Sequence, residues 1–229
     1  MKYQLKPISP SGLLDYEGCP KRFLHTKILK SHASQVTEAI TYGNEVHKKL
    51  ELHVKKGEVL PKHLKHVEPV ISDLKAMGFG LHAELEMAID KDWNPVDWWD
   101  KNCWLRGKVD LIALGREDAY VFDYKTGKRK ADPTQLKIYA AVLYKVLGLQ
   151  SVESCYMWLA TKDTDSFRID SSNIHEAQNE ITARLERMKN AHETGNFEPR
   201  TSPLCSYCPV LSDCEAAEYY RQRAQYLRS

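Results

Sequence analysis

Apolar residues recur with a helical period at both ends of the chain and with a strand period in its middle. The helical spacing predicts helices over residues 10–18, 20–28, 36–56, 64–77, 133–147 and 173–192. Apolar alternation predicts strands over residues 81–89, 103–114, 119–125, 152–160 and 166–169. Ser9 before Pro10 is typical of a helix start, and Gly57 is typical of a helix end.

The order of these elements predicts an α/β fold. Helices come first, then three strands, a helix, two strands, a helix and a tail, which is the order of a mixed β-sheet flanked by helices. No linker, internal repeat or low-complexity segment interrupts the chain. We therefore expect a single domain over residues 1–229.

Composition narrows the function classes without selecting one. The 229 residues are 42% hydrophobic and 28% charged, with a formal net charge of +2. These values are ordinary for a soluble globular protein, so nucleic-acid binding would have to rest on local basic patches. The first residues lack the apolar core of a secretory signal, and no apolar run approaches a membrane span. We expect a cytoplasmic protein that does not bind membranes.

The residues with the most informative chemistry lie in two neighbouring predicted strands. Alternate residues of a strand share a face, so Asp123 and Lys125 should point the same way. If the two strands pair as a hairpin, Asp110 can meet Asp123 and bind a cation. Paired carboxylates suit Mg²⁺, and a nearby lysine can orient water or stabilise charge on a phosphate. A surface hairpin with ordinary charges is the alternative for an isolated Asp-x-Lys.

The cysteines form a second constellation. Six cysteines in an intracellular protein favour metal binding over disulfides. Cys205, Cys208 and Cys214 are closely spaced near the C-terminus, and Cys19 is a distant candidate for a fourth ligand. This spacing suits zinc or an iron–sulfur cluster.

Both constellations resemble those of the RecB-like nucleases of the PD-(D/E)XK superfamily. The resemblance extends from about Ser9 to Cys214 and also includes the CRISPR-associated spacer-capture nucleases. It rests on an ordered set of residues: Ile8-Ser-Pro-Ser11, Cys19-Pro-Lys-Arg22-Phe23, Gly43-Asn-Glu-Val-His47, Glu84, Gly107-x-x-Asp110, Asp123-Tyr-Lys125-Thr-Gly127 and Gln135-x-x-x-Tyr139. The family often has glutamate where this chain has Asp123.

The resemblance implies a PD-(D/E)XK nuclease core and a role for each of these residues. It implies Mg²⁺ or Mn²⁺ ligands at His47, Asp110, Asp123 and the carbonyl of Tyr124. Lys125 would be the catalytic lysine, and Glu84 a further acidic catalytic position. Gln135 and Tyr139 would position the substrate strand.

For the cysteines, the resemblance implies a [4Fe–4S] cluster, with zinc as the alternative. The cluster would tie the N-terminal helices to the C-terminal tail, so that residues 1–30 and 195–229 form one subregion. The implied activity is metal-dependent hydrolysis of DNA, as an exonuclease on single strands or ends. The alternative is a non-catalytic nucleic-acid-binding module with a structural metal.

A basic run follows the lysine strand directly. Lys128, Arg129 and Lys130 can neutralise DNA phosphates, although a solvated turn explains the run equally well. The resemblance further implies a role in recombination, repair or DNA processing. It makes a helicase or recombination protein a candidate partner, and the host cytoplasm the location if the gene is phage-borne.

Overall fold

The computed structural model describes residues 3–33, 37–129 and 132–226. The chain divides into two compact units. Residues 37–181 form one, here called the sheet unit. Residues 1–36 and 182–229 form the other, here called the cysteine unit. No described helix is both long enough and apolar enough to cross a membrane.

A five-stranded mixed sheet forms the centre of the sheet unit. Its strands are β1 (Gly80–Ile89), β2 (Leu105–Leu114), β3 (Asp118–Lys125), β4 (Ser151–Trp158) and β5 (Asp163–Asp170). They lie in chain order, and neighbours are antiparallel except for the parallel pair β3 and β4. A parallel pair needs a crossover, which α5 supplies. The predicted mixed sheet flanked by helices is confirmed.

The helices agree with the predicted segments to within a few residues. Here α1 and α2 belong to the cysteine unit, and α6 crosses the boundary between the units. The bounds are α1 (Pro10–Gly18), α2 (Pro20–Phe23), α3 (Glu38–Lys56), α4 (Glu68–Ala76), α5 (Thr134–Leu147), α6 (Ile174–Thr194) and α7 (Glu218–Tyr226). A π-helical turn (Leu24–Ile28) continues α2, and a 3₁₀ helix (Lys62–Val67) precedes α4.

Local sequence explains where α3 begins and ends. The side chain of Thr37 accepts a hydrogen bond from the backbone N–H of Ile40, which caps the first turn. Gly57 ends the helix in the left-handed conformation, with φ of 71°, a position that glycine occupies at little cost. These ends fix the helix that carries His47.

Helices cover both faces of the sheet. On one face, Val46 and Leu50 of α3 belong to a core cluster that includes Leu111 of β2 and Met157 of β4. On the other, Leu136 of α5 packs with Tyr156 and Trp158, the alternate residues of β4. Because β4 is buried on both faces, the end of the neighbouring β3 lies in a water-poor environment.

Candidate active site

The predicted hairpin forms between β2 and β3. Their paired residues run from Leu114 opposite Ala119 to Leu111 opposite Phe122, so Asp110 and Asp123 are the next positions on the two strands. The ladder stops there, and the backbone N–H of Tyr124 donates a 2.7 Å hydrogen bond to Asp110 Oδ2. Two carboxylates therefore meet where the strands part.

His47 reaches this point from α3. Its Nδ1 lies 3.1 Å from Asp110 Oδ1, and its Nε2 lies 2.8 Å from the carbonyl oxygen of Tyr124. Both partners are acceptors, so two good hydrogen bonds require a protonated ring. Burial lowers the pKa of His47, but the bond to Asp110, the charges of Asp110 and Asp123, and the Tyr124 carbonyl together raise it.

Asp123 is the most deeply buried acid of the site, with 4% of its surface exposed. Burial raises the pKa of its carboxyl, Lys125 lowers it and the charge of Asp110 raises it further. Asp123 Oδ2 lies 2.5 Å from Lys125 Nζ. Apart from this ion pair, whose geometry is not that of a hydrogen bond, the buried oxygen has no partner among the described residues.

Residues of α5 fix the position of the Lys125 side chain through hydrogen bonds. Lys125 Nζ donates a 2.8 Å hydrogen bond to Gln135 Oε1, and Gln135 Nε2 donates a 2.7 Å bond to the hydroxyl of Tyr139. Both α5 residues are buried. Gln135 and Tyr139 share one face of α5, as predicted, and their hydrogen bonds connect that face to Lys125. Their predicted role at the substrate strand stays a prediction.

Tyr156 is a residue of the site that sequence reasoning missed. Its ring lies under Lys125 Nζ, 4.8 Å from the ring centroid, and its backbone pairs in register with Asp123. An ammonium group over an aromatic face is attracted by the ring quadrupole. Alternation along β4 predicts which residues share a face with Tyr156. Only the parallel pairing with β3 shows that this is the face that carries Asp123 and Lys125.

Glu84 lies across from Asp110 on β1, between the paired positions Ala83–Leu111 and Leu85–Val109. Its φ of 58° is left-handed, which is costly for a non-glycine residue and interrupts the ladder. Burial raises the pKa of Glu84, and so do the charges of Asp110 and Glu51. The acidic position predicted from the resemblance is therefore next to the carboxylate pair.

The chemistry of this donor set fits a hard divalent cation. It offers two carboxylates, one backbone carbonyl and one imidazole, and the buried oxygen of Asp123 lacks a hydrogen bond. As placed, however, no three His, Cys, Asp or Glu side chains in the described part of the chain are grouped to hold a metal. Instead, the two ring nitrogens of His47 are hydrogen-bonded to Asp110 and to the Tyr124 carbonyl.

The three basic residues that follow β3 differ in their surroundings. Arg129 donates a 2.9 Å hydrogen bond from Nε to Asp165 Oδ2 of β5, so its charge is already paired. Lys128 is exposed. Lys130 lies outside the described residues. Of the three predicted phosphate contacts, Lys128 is the described side chain that remains available.

The four predicted cluster ligands line a common cavity in the cysteine unit, but among the described residues no three of them are grouped closely enough to hold a metal. Cys19, Cys205, Cys208 and Cys214 line one small cavity together with Lys21, Arg22 and Arg200. Two sulfurs accept backbone hydrogen bonds, Cys19 from Arg200 at 3.5 Å and Cys205 from Ser202 at 3.2 Å. Burial raises the pKa of the Cys208 thiol, and the nearby Cys19 and Cys205 raise it further.

A family model described as the PD-(D/E)XK nuclease superfamily matches residues 7–215 of this chain. The chain belongs to that superfamily. The match includes every residue of the hairpin site and all four cysteines of the cavity. The reaction expected of this site is therefore hydrolysis of phosphodiester bonds.

Individual relatives are distant. The Gene 69 protein of Mycobacterium phage L5 is 26% identical over 120 residues, which are 48% of this chain and 39% of that protein. The crystal structure of SSO0001 has a TM-score of 0.52 at 18% identity, covering 93% of this chain and 89% of that one. A candidate exonuclease from Eubacterium rectale has a TM-score of 0.49 at 15% identity, covering 88% and 86%. The SSO0001 structure shows a shared fold.

Proposed function

We propose that this protein is a metal-dependent deoxyribonuclease that acts as an exonuclease on single-stranded DNA or DNA ends. The observation that carries the proposal is the convergence of Asp110, Asp123 and Lys125 where β2 and β3 part. The burial of Asp123, and of Gln135 that accepts a hydrogen bond from Lys125, argues against the surface-hairpin alternative.

Asp110, Asp123, His47 and the Tyr124 carbonyl would hold one or two Mg²⁺ or Mn²⁺ ions. When bound, the cation supplies Lewis-acid stabilisation of the phosphate and an activated water. Glu84 adds a further carboxylate beside Asp110 and raises the local negative charge that attracts the cation. The buried position of Asp123 strengthens its attraction, because the interaction of charges grows as the local dielectric falls.

Lys125 would orient the attacking water and stabilise charge that develops on the phosphate. Such a group is effective only when it is held in place before the reaction. Gln135 accepts its hydrogen bond, Asp123 pairs with its charge and Tyr156 lies beneath it. Three contacts therefore limit the movement of Nζ, which is what a preorganised catalytic lysine requires.

The experiment that tests the activity uses DNA labelled at one end, incubated with Mg²⁺ or Mn²⁺ and sampled over time. Single-stranded, blunt duplex and circular single-stranded substrates are compared. An exonuclease releases mononucleotides or short products from linear strands and leaves the circle intact. Cleavage of the circle would contradict the exonuclease assignment, and no metal-dependent cleavage of any substrate would contradict the nuclease proposal.

The alternative is a nucleic-acid-binding module without catalysis. It predicts DNA binding that is unaffected by divalent metal and no product at any enzyme concentration. Binding DNA does not require a buried carboxylate with a raised pKa, such as Asp123, beside a lysine that is fixed by hydrogen bonding. Groups with perturbed pKa values of this kind cluster at catalytic sites. That difference favours the enzyme.

For the cysteine unit, we propose a [4Fe–4S] cluster held by Cys19, Cys205, Cys208 and Cys214. Their common cavity supports this, as do the two N–H···S hydrogen bonds, an interaction that tunes such clusters. Lys21, Arg22 and Arg200 line the same cavity, although Lys21 is paired with Glu215 and Arg22 with Asp15.

Metal analysis decides between this cluster and zinc. Protein purified without oxygen should be yellow-brown and contain iron and acid-labile sulfide. A colourless protein with one equivalent of zinc would refute the cluster and leave the nuclease proposal unaffected, because the ligands belong to the cysteine unit and the hairpin site to the sheet unit.

The resemblance to stand-alone phage and prokaryotic nucleases supports a role in recombination, repair or DNA processing in the cytoplasm. A helicase that opens duplex ends, or another recombination protein, would be the partner that supplies single strands. Co-purification from cells carrying damaged DNA tests this: recovery of such a protein with wild type supports it, and recovery of none contradicts it.

A further inference from the structure

A groove of about 430 Å³ lies beside the hairpin site within the sheet unit. Thr126, which follows Lys125 directly, lines the groove, as do Tyr42 of α3 and His63 of the 3₁₀ helix. A Cβ on Gly43 would lie 3.3 Å from Thr126 Oγ1, so this glycine lets α3 approach the end of β3 closely. The groove thus begins one residue after the proposed catalytic lysine, and its α3 residue, Tyr42, lies five positions before His47.

The charges lining the groove are of one sign. Lys62 and Lys162 are both exposed and have no ion-pair partner in the described part of the chain. No aspartate or glutamate is among the described lining residues. This contrasts with Arg129, which two acids of β5 already pair. The groove is therefore a place where phosphates can be neutralised near the site.

Aromatic surface accompanies these charges. Tyr42 is 48% exposed, which is unusual for a tyrosine that packs in a core. It lies beside the ring of His63, with centroids 6.4 Å apart and planes inclined by 30°. An exposed aromatic ring is a group on which an unpaired base can stack.

We propose that this groove is a subsite for an unpaired nucleotide of the substrate strand, in which a base stacks on Tyr42 and the flanking phosphates lie on Lys62 and Lys162. The inference deepens the proposed nuclease function and rests on it. It identifies why the enzyme would choose unpaired ends: the face of a base is free to stack on Tyr42 only when the base has left the duplex.

The test measures binding in EDTA, where cleavage does not occur, using single-stranded DNA that contains the fluorescent base 2-aminopurine and the matching blunt duplex. Tyr42→Ala should weaken single-strand binding by about fivefold or more, the effect of losing one stacked base. Tyr42→Phe keeps the ring and should bind as wild type. Tyr219→Ala removes another exposed tyrosine, in the cysteine unit, and should change nothing.

The lysines are tested by salt dependence. For single strands, the slope of log affinity against log salt should fall by about 0.7 for each phosphate that a lysine no longer neutralises. Lys62→Gln and Lys162→Gln should each reduce the slope by this amount, while Lys145→Gln, on the last turn of α5, should leave it unchanged.

Unchanged binding by Tyr42→Ala, or an equal loss with Tyr42→Phe, would overturn the stacking subsite. An equal loss on the blunt duplex would overturn the preference for unpaired bases. Cleavage of the same DNA in Mg²⁺ or Mn²⁺ is measured in parallel. Wild type that binds through Tyr42 but never cleaves would refute the nuclease and leave the groove, whereas cleavage that ignores Tyr42 would refute the groove alone.

Discussion

Lys125 Nζ donates a hydrogen bond to Gln135 Oε1 at 2.8 Å, which joins the end of β3 to the first turn of α5. The bond continues through the amide of Gln135 to the hydroxyl of Tyr139 at 2.7 Å. The crossover helix that makes the parallel pairing of β3 and β4 possible therefore also fixes the position of the candidate catalytic group. Gln135 and Tyr139 are positioning residues for Lys125 in addition to any contact with substrate.

The first prediction concerns this chain of hydrogen bonds. Gln135→Ala should lower the rate of cleavage by about 10- to 100-fold, the usual effect of removing a group that orients a catalytic residue. Tyr139→Phe, which loses only the hydroxyl, should have a smaller effect. Stabilisation of the fold by Mn²⁺, followed as a shift in Tm, should be almost unchanged in both.

Gln150→Ala is the matched control, because Gln150 is exposed and lies beyond the end of α5. A loss of metal-induced stabilisation that parallels the loss of rate would show that these residues act on the metal site instead of on Lys125.

The second prediction concerns the cost of the buried carboxylate. Because the pKa of Asp123 is raised in the fold, its stabilising contribution is present at low pH and is lost as the pH rises through that value. Near neutral pH in EDTA, Asp123→Asn should therefore be more stable than wild type, by on the order of 1 kcal/mol. It should lose cleavage and the response of Tm to metal.

Asp165→Asn gives the opposite sign and is the control. Its bonds with Arg129 and Trp158 lower the pKa of Asp165, so its contribution is present near neutral pH and lost on acidification. The substitution should destabilise the fold near neutral pH. If Asp123→Asn also destabilised it under these conditions, the burial cost assigned to Asp123 would be incorrect.

The third prediction follows from the contacts of His47. A metal ligand must be a neutral imidazole, whereas the Asp110 and Tyr124 contacts favour the protonated ring. Binding of Mn²⁺ should therefore release a proton, and affinity should fall as the pH drops below the raised pKa of His47. Calorimetry in two buffers of different ionisation enthalpy measures the proton directly. Equal heats in both buffers, together with pH-independent affinity, would exclude His47 as a ligand.

The fourth prediction concerns Cys19. Cys19→Ala should lose colour and lower Tm substantially, because metal binding free energy becomes folding stability when the site exists only in the folded chain. Cys103→Ala is the control, since that buried cysteine lies on the segment before β2, in the sheet unit. A fully coloured and fully stable Cys19→Ala would show that another residue supplies the fourth ligand.

The hairpin could be predicted because its determinants are local. Alternation along β2 and β3 fixes which residues share a face, and the short turn between them sets the pairing that brings Asp110 towards Asp123. The end of α3 was likewise predictable from Gly57, whereas its start was predicted at residue 36 and is observed at Glu38, after the Thr37 cap. A cation site at Asp110 and Asp123 with a helping lysine followed from residue chemistry, the other roles came from the family resemblance, and all of them stay predictions.

The rest of the site depends on contacts between distant parts of the chain. The position of Tyr156 under Lys125 requires the parallel pairing of β3 with β4, which no local pattern specifies. The pairing of Arg129 with Asp165 likewise requires β5 to lie next to β4. The left-handed backbone conformation at Glu84 could not be predicted, because the position is not a glycine. Each of these features is set by tertiary structure.

The most direct test of the account is cleavage of end-labelled single-stranded DNA by wild type and by Lys125→Ala, each with Mn²⁺, with EDTA, and with Mn²⁺ restored after EDTA. Circular dichroism and DNA binding in EDTA confirm that both proteins are folded and bind substrate. Wild type should cleave only when metal is present, and folded Lys125→Ala should bind DNA without cleaving it. Cleavage by Lys125→Ala at the wild-type rate, or cleavage by wild type in EDTA, would contradict the proposal.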